Sequence, residues 1–178
     1  EYVDFYDINI LGSISIKGTT VQRRKGNPQP RIAECYSGLI NSVGLENPGM
    51  DNVIQKELKD LEKIYRKPVI ANISGFSVEE YVTLAREMDK VDNVGIIEVN
   101  ISCPNVDHGG LAFGTNADNV RELTKKIKEV TTKPIYMKLS PNVTDIKEIA
   151  HAAEEGGADG ISLINTLMGM RIDINRRK

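Results

Sequence analysis

Short apolar runs alternate with amphipathic segments along most of the chain. Five runs predict strands, at 13–20, 67–75, 94–102, 133–142 and 160–166. Four segments have apolar residues at helical spacing and predict helices, at 50–65, 77–91, 116–132 and 145–157. Ser77 followed by Glu80 is typical of a capped helix start, and the glycine pair 156–157 is typical of a helix stop.

Strands this apolar, alternating with helices, predict a parallel sheet that is buried on both faces and covered by helices. Doubly wound sheets and (β/α)8 barrels both fit this order. The absence of a GxGxxG motif after the first strand counts against a dinucleotide-binding Rossmann fold. A polar residue near the end of each strand favours the barrel, whose site gathers at many strand ends. These residues are Lys17, Asn72, Asn100, Lys138 and Asn165.

Five strands are too few to close a barrel, which takes about 250 residues. The sequence therefore predicts an α/β fold, a (β/α)8 TIM barrel that is incomplete in this chain. It would hold about five βα units, with the first strand and the last two missing. Residues 1–178 are expected to form a single domain.

Composition narrows the possible partners. The net charge of −2 argues against nucleic acid, because phosphate binding favours a basic surface. No apolar stretch approaches the roughly 20 residues that cross a bilayer, so no membrane is expected. Cys35 and Cys103 lie far apart without an extracellular signature. Free thiols in a reducing cytoplasm, and hence a cytoplasmic protein, are expected.

The strand ends supply three amides and two ammonium groups. An amide beside a strand is by itself more often a turn former than a ligand contact, but repetition on successive strands favours a shared site. Asn offers both donors and an acceptor on a short side chain. The expected ligand is planar, rich in acceptors and partly anionic, such as a pterin, a flavin or a pyrimidine.

Two loops and one thiol complete the candidate chemistry. Loop 41–49 contains Gly44 and Asn47 and predicts a defined turn, and segment 23–31 predicts a solvated excursion. Cys103 follows a strand beside Asn100, where a thiol of lowered pKa can act as a base or nucleophile. Cys35 is interpreted as structural. Lone histidines offer no ligand spacing, so no metal site is predicted.

Seven motifs occur in an order that resembles the class 1 dihydroorotate dehydrogenase family. They are KGTT, RKGNPQPR, NSVGLENPG, ANISG, NISCPNVDHGG, KLSPNVTD and INTLMG. The NISCPNVDHGG motif, the AFGT after it and the later KLSPNVTDI resemble the 1B subtype, the NAD-linked catalytic subunit.

The resemblance implies a TIM barrel with FMN at its mouth. It implies oxidation of (S)-dihydroorotate to orotate in pyrimidine biosynthesis, with Cys103 as the base for the C5 proton and FMN as the hydride acceptor. The residues implied for FMN are Lys17, Gly18, Asn72, Asn100, Lys138 and Ile164. Those implied for the substrate are Lys17, Asn41, Ser42, Val43, Gly44, Leu45, Asn100, Asn165 and Thr166.

The 1B resemblance also implies partners. A second subunit with FAD and a [2Fe–2S] cluster would pass electrons to NAD, in a heterotetramer of two plus two built on a homodimer of catalytic subunits. With only two cysteines, this chain does not carry the four that ligate such a cluster. The 1A subtype would instead use fumarate as a simple homodimer.

Two other functions compete with this interpretation. A Schiff-base lysine lyase on a TIM barrel would use Lys17 or Lys138, but it would not need Cys103 or the amides. A tRNA-binding flavin barrel of the dihydrouridine synthase type would need a basic face, which the net charge does not support.

Overall fold

A parallel sheet with helices between its strands forms the centre of the molecule. We describe residues 2–102 and 113–175 in a computed structural model. The sheet order is β3–β4–β5–β6, and consecutive strands are joined by helices. The strands are β3 Val69–Ile73, β4 Val94–Asn100, β5 Ile135–Lys138 and β6 Gly160–Ser162. The connecting helices are α3 Val78–Asp89, α4 Ala117–Lys128 and α5 Ile146–Glu155. This confirms the α/β class, and the sheet formed by these residues is open.

The predicted strand at 13–20 is extended but not continuous. It lies parallel to β3 through isolated bridges, Ser15 with Ile70 and Thr19 with Ile73. The Thr19 N–H donates to the Asn72 carbonyl at 2.9 Å. Regular pairing fails at its end because the next N–H, that of Thr20, donates to a side chain instead of to a strand. The prediction of a full strand here was wrong, and the structure places the segment beside β3.

The helix predicted at 50–65 forms in three pieces. They are α1 Met50–Asn52, a π-helical segment Val53–Glu57 and α2 Leu58–Glu62. Helical structure therefore ends before residue 65, where the chain must extend towards Pro68 and enter β3. Short 3-10 helices occur at Tyr2–Asp4, Ile8–Ile10 and Phe113–Thr115.

Helix α3 begins and helix α5 ends at the predicted signals. The Ser77 hydroxyl accepts from the Glu80 N–H at 3.2 Å, and the Glu80 carboxylate accepts from the Phe76 N–H at 2.7 Å. This is the capping box predicted for α3, with the second bond displaced by one residue. Helix α5 has Gly156 as its C-cap, and Gly157 follows with φ of 95°, which favours glycine.

The two faces of the sheet differ in chemistry. One face carries fully buried apolar side chains, including Ile73, Val99 and Met137, in the hydrophobic core with the helices. Because strand side chains alternate, the residues between them project to the opposite face. That face carries Asn72, Glu98, Asn100, Tyr136 and Lys138. The sequence predicted a sheet covered by apolar residues on both faces, and this prediction holds for one face only, since the other is largely polar.

An antiparallel hairpin was missed by the sequence analysis. Its strands are β1 Ile32–Cys35 and β2 Gly38–Asn41, which pair from Ile32 with Asn41 to Cys35 with Gly38. Its side chains are mostly exposed, so no buried stripe marks it in the sequence. Cys35 is the last residue of β1 and is half-buried.

Candidate functional site

A carboxylate, an amide and an ammonium group meet on the polar face of the sheet. Asn72 on β3 and Glu98 on β4 are register partners, and the Asn72 amide donates to the Glu98 carboxylate. The Lys138 Nζ on β5 lies 3.7 Å from Glu98 Oε2. Asn72 and Glu98 are buried, whereas 30% of the Lys138 side chain is exposed. The cluster therefore joins three adjacent strands and leaves one cation accessible.

A second polar contact lies at the ends of β4 and β5. Asn100 and Lys138 are register partners, and Asn165 follows β6. The Asn165 amide donates to Asn100 Oδ1 at 2.7 Å, and the Ser102 N–H donates to the same oxygen at 3.1 Å. The Tyr81 hydroxyl on α3 donates to the Asn100 carbonyl at 2.6 Å. Both the side chain and the backbone of Asn100 are thus held from several directions.

Gly18 lies directly against the amide of Asn72. A Cβ at this position would lie 2.9 Å from Asn72 Oδ1 and 3.0 Å from Leu45 Cδ1. A side chain at position 18 would therefore have to displace the ends of the Asn72 and Leu45 side chains. The Ser74 hydroxyl would lie 3.7 Å from the same Cβ. Ser74 is fully buried, and its hydroxyl has no hydrogen-bond partner among the described residues.

Asn47 fastens loop 41–49 to the chain beside β3. Its Oδ1 accepts from the Thr20 N–H at 3.1 Å and the Gly49 N–H at 3.0 Å, while its amide donates to the Leu45 carbonyl at 2.9 Å. Asn47 is itself buried. The defined turn predicted for this loop is therefore confirmed, and these bonds hold Leu45 beside Gly18.

Residues 41–44 of the same loop lie next to the end of the β1–β2 hairpin. Asn41 ends β2 and is exposed, and the Ser42 N–H donates to the Arg31 carbonyl at 2.8 Å. Gly44 has φ of 77° and approaches Asn27 closely, which a side chain would prevent. The Val43 carbonyl accepts from the Asn27 N–H at 3.0 Å. These contacts hold the backbone of the loop.

Three other predicted site residues are exposed around this region. The Lys17 side chain is exposed next to Gly18. Ile164 is 49% exposed, and the Thr166 carbonyl accepts from the Asn142 amide at 3.1 Å. The structure thus connects Gly18, Leu45, Asn72 and Lys138 through one set of contacts, and Asn100 with Asn165 through another. Cys103 lies outside the described residues.

Two functional candidates were missed by the sequence analysis. Glu98 sits in an otherwise apolar run, two residues before Asn100 and on the same face. A single carboxylate inside such a run is uncommon unless it is paired, and this signal could have identified it. Ser74 gave no comparable signal, because a serine after a strand is ordinary turn chemistry.

The described residues contain no group of three or more His, Cys, Asp or Glu side chains arranged to hold a metal ion. Nor do the described helices include one with the length and hydropathy needed to cross a membrane.

Comparison with known proteins identifies the family. A family model described as "Dihydroorotate dehydrogenase" matches residues 1–178. The chain belongs to the dihydroorotate dehydrogenase family. This confirms the resemblance carried by the seven sequence motifs.

Curated relatives agree with the subtype. A protein of Halalkalibacterium halodurans named "Dihydroorotate dehydrogenase B (NAD(+)), catalytic subunit" is 55% identical over 177 residues, which cover 99% of this chain and 58% of that protein. A protein of the same name from Enterococcus faecalis is 56% identical over 178 residues, covering 100% and 57%. The chain therefore spans less than two thirds of the length of these relatives.

A solved structure of the carboxyl transferase domain from Rhizobium etli pyruvate carboxylase is also similar, with a TM-score of 0.48 and 19% identity. It covers 61% of this chain and 18% of that one. At this level of similarity we draw no conclusion from it.

Proposed function

We propose that the complete protein oxidises (S)-dihydroorotate to orotate in pyrimidine biosynthesis, with FMN as its cofactor. The site would lie at the C-terminal mouth of a (β/α)8 barrel, and residues 1–178 would form part of that single FMN-binding domain. One observation carries the proposal. In a member of this family, amide and ammonium groups from neighbouring strands meet at the C-terminal ends of the parallel sheet.

The residues present fit the polar edge of an isoalloxazine ring. Such a ring offers carbonyl and ring-nitrogen acceptors, and the exposed part of Lys138 and the Asn100 amide supply donors. The buried Ser74 hydroxyl supplies a further polar group without a partner in the described residues. FMN contacts are accordingly proposed for Lys17, Gly18, Asn72, Asn100, Lys138 and Ile164.

The proposed reaction removes two hydrogens from dihydroorotate. When bound, FMN supplies the acceptor for the hydride that leaves C6 with the electron pair of its bond. The Cys103 thiolate takes the proton from C5, and the electrons of that C–H bond form the C5–C6 double bond of orotate. The base must be close to the proton and have a suitably placed pKa.

The remaining residues bind and orient the substrate. Lys17 would pair with the substrate carboxylate, and Asn41, Ser42, Val43, Gly44 and Leu45 would line one side of it. The contact between Asn100 and Asn165 supports a shared role for these two residues, with Thr166, on the other side. Fixed orientation of this kind is worth several kcal/mol of the barrier. The Lys138 ammonium would stabilise negative charge that develops beside it.

We propose NAD as the final electron acceptor, reached through a partner subunit. The relatives are named as NAD(+)-dependent catalytic subunits, which supports this choice over fumarate. The partner would carry FAD and a [2Fe–2S] cluster in a heterotetramer of two plus two, around a homodimer of catalytic subunits in the cytoplasm. Neither nucleic acid nor a membrane is needed in this proposal.

An absorbance spectrum of the complete protein tests the function. We expect the yellow spectrum of oxidised flavin, which bleaches when dihydroorotate is added without oxygen. A colourless protein that is trapped by borohydride with a carbonyl substrate would instead indicate the lysine lyase. A flavin that dihydroorotate does not bleach would also contradict the proposal.

Substitution of the proposed base tests the mechanism. We expect Cys103→Ser to slow flavin bleaching by about 100-fold or more near neutral pH, because a serine hydroxyl is a far weaker base, while orotate still binds. Cys35→Ser is the control, since Cys35 lies at the end of β1 in the hairpin, and it should bleach at the normal rate. Normal bleaching by Cys103→Ser would show that the proton goes to another group.

A further inference from the structure

Glu98 is a buried carboxylate for which the proposed chemistry has no role. Only 11% of its side chain is exposed, and it lies in the middle of β4 with its register partner Asn72 on one side. A buried charge is costly unless it is paired and hydrogen-bonded. The described contacts of its carboxylate are with Asn72 and Lys138, both of which are proposed to contact FMN.

The carboxylate determines the orientation of the Asn72 amide. An ionised carboxylate only accepts hydrogen bonds, so the NH2 group of Asn72 turns towards Glu98. The Asn72 carbonyl oxygen then faces Gly18, where a Cβ would lie 2.9 Å from it. A neutral amide in place of Glu98 could both donate and accept, and this orientation would no longer be unique.

The carboxylate also limits where the Lys138 ammonium can lie. Lys138 is paired in register with Asn100, whereas Glu98 is paired with Tyr136, two residues earlier on β5. The ion pair is therefore diagonal and draws Lys138 Nζ across the sheet towards β4, to within 3.7 Å of Glu98 Oε2. Without this anchor the long lysine side chain would have many rotamers open to it.

We propose that Glu98 is a positioning residue, which orients the Lys138 ammonium and the Asn72 amide for binding of the FMN ring. This inference rests on the proposed function. It assigns Glu98 no proton transfer and no direct contact with substrate, and its effect passes through the two side chains that it holds.

A double-mutant cycle on FMN affinity tests the inference. The complete protein is freed of flavin and titrated with FMN, and the quenching of flavin fluorescence gives Kd for Glu98→Gln, Lys138→Met and the double variant. We expect each single change to weaken FMN binding by about 10-fold. Because the double variant lacks one of the two side chains that Glu98 holds, Glu98→Gln can there act only through Asn72, and the double variant should bind FMN within about threefold of Lys138→Met alone. Losses that multiply to about 100-fold, or normal binding by Glu98→Gln, would overturn the proposal.

Two further variants keep the test decisive. Glu98→Asp retains the charge on a shorter side chain and should lose only about threefold, and it serves as the test if Glu98→Gln does not fold. The loss of FMN affinity caused by Glu98→Asp should also be smaller in the Lys138→Met background. A loss of unchanged size there would overturn the proposal. Glu87→Gln removes the α3 carboxylate of an exposed ion pair with Lys90, the residue after that helix, and should leave FMN affinity unchanged. If Glu87→Gln lost as much FMN affinity as Glu98→Gln, the effect of Glu98→Gln would not be specific to its position, and the proposal would be wrong.

The cycle also separates this inference from the proposed function. If the wild-type protein binds no FMN, or if Lys138→Met binds it normally, then the proposed flavin site is wrong, whatever Glu98 does. If Lys138→Met loses FMN affinity while Glu98→Gln does not, the proposed flavin site is supported and the proposed role of Glu98 is wrong.

Discussion

The two ends of the parallel sheet use polar residues in different ways. Before β5, one oxygen of Asp89 accepts from the Thr131 hydroxyl and from the backbone N–H groups of Thr132 and Lys133. Before β6, Asp159 accepts from Lys128 and from the Ile135 N–H, both at 2.8 Å. These carboxylates bind the chain's own backbone, and their hydrogen-bonding capacity serves to hold strands and helices together.

At the opposite end of the sheet, the hydrogen bonding of the polar side chains is less complete. There the polar groups bond mainly to one another, as in Asn100 with Asn165, and one pair is as long as 3.7 Å. The Ser74 hydroxyl is buried without a partner in the described chain. An unpaired buried hydroxyl costs stability, and that of Ser74 lies beside Gly18, which we propose to contact FMN. The contrast separates residues that stabilise the fold from residues that we propose for the site.

The largest effect on stability is expected at the N-terminal end of the sheet. Asp89→Ala should lower the free energy of unfolding by about 2–3 kcal/mol, because it removes several hydrogen bonds and leaves a buried threonine hydroxyl without its acceptor. Chemical denaturation measures this loss. Flavin reduction per folded molecule should not change.

Asp92→Ala provides the control for this prediction, since Asp92 is exposed in the turn that follows α3. Its effect should stay within about 0.5 kcal/mol. If folded Asp89→Ala lost flavin reduction, the two ends of the sheet would not have separate roles.

A smaller effect, dependent on pH, is expected at Asp159. Hydrogen bonds from Lys128 and from the Ile135 N–H hold the pKa of Asp159 below its usual value. A carboxyl whose pKa is lowered by folding stabilises the protein above its unfolded pKa of about 4, and this contribution is lost as the pH falls through the folded pKa. The stability difference between wild type and Asp159→Asn should therefore shrink as the pH falls from about 5 to 2.

Lys128→Met tests the cause of that shift. Without the ammonium donor, the pKa of Asp159 should move back towards its usual value, and the pH dependence should weaken in the same direction. Denaturation midpoints across the pH series measure both variants. A stability difference that does not vary with pH would contradict the assignment.

The smallest effect on stability is expected at Ser74. Removing a buried hydroxyl that lacks a partner should change the free energy of unfolding by less than about 0.5 kcal/mol, and Ser74→Ala should nevertheless weaken FMN binding by about threefold or more. Thr124→Val is the matched control, because its buried hydroxyl donates to the Val120 carbonyl at 2.7 Å inside α4. It should lose about 1 kcal/mol of stability and no FMN affinity. The reverse pattern would show that Ser74 belongs to the fold rather than to the site.

The order of helices and strands could be predicted because burial imposes a period on the sequence. Helices α3, α4 and α5 each bury one face, and their caps at Ser77, Asn116 and Asp145 carry local chemical signals. The β1–β2 hairpin escaped prediction because its stability is local and its side chains are mostly exposed. No hydrophobic stripe is needed for such a hairpin, so none was available to detect.

The site could be predicted only where the sequence alone marks a strand end. Asn72, Asn100 and Lys138 stand out there, and the structure brings their strands side by side. The pairing of Asn72 with Glu98 depends on the register between two strands 26 residues apart, and a single sequence does not fix this register. The pairing therefore became visible only in the structure, although a lone carboxylate in an apolar run marks Glu98 in the sequence.

The buried Asn47 side chain has a consequence for engineering this family. The Asn47 side chain joins the end of segment 13–20 to the loop that follows β2, through hydrogen bonds with Thr20, Leu45 and Gly49. Transplanting either stretch alone into another scaffold would leave this junction without half of its partners. The two stretches depend on each other for hydrogen bonds, so a graft between relatives should move both together.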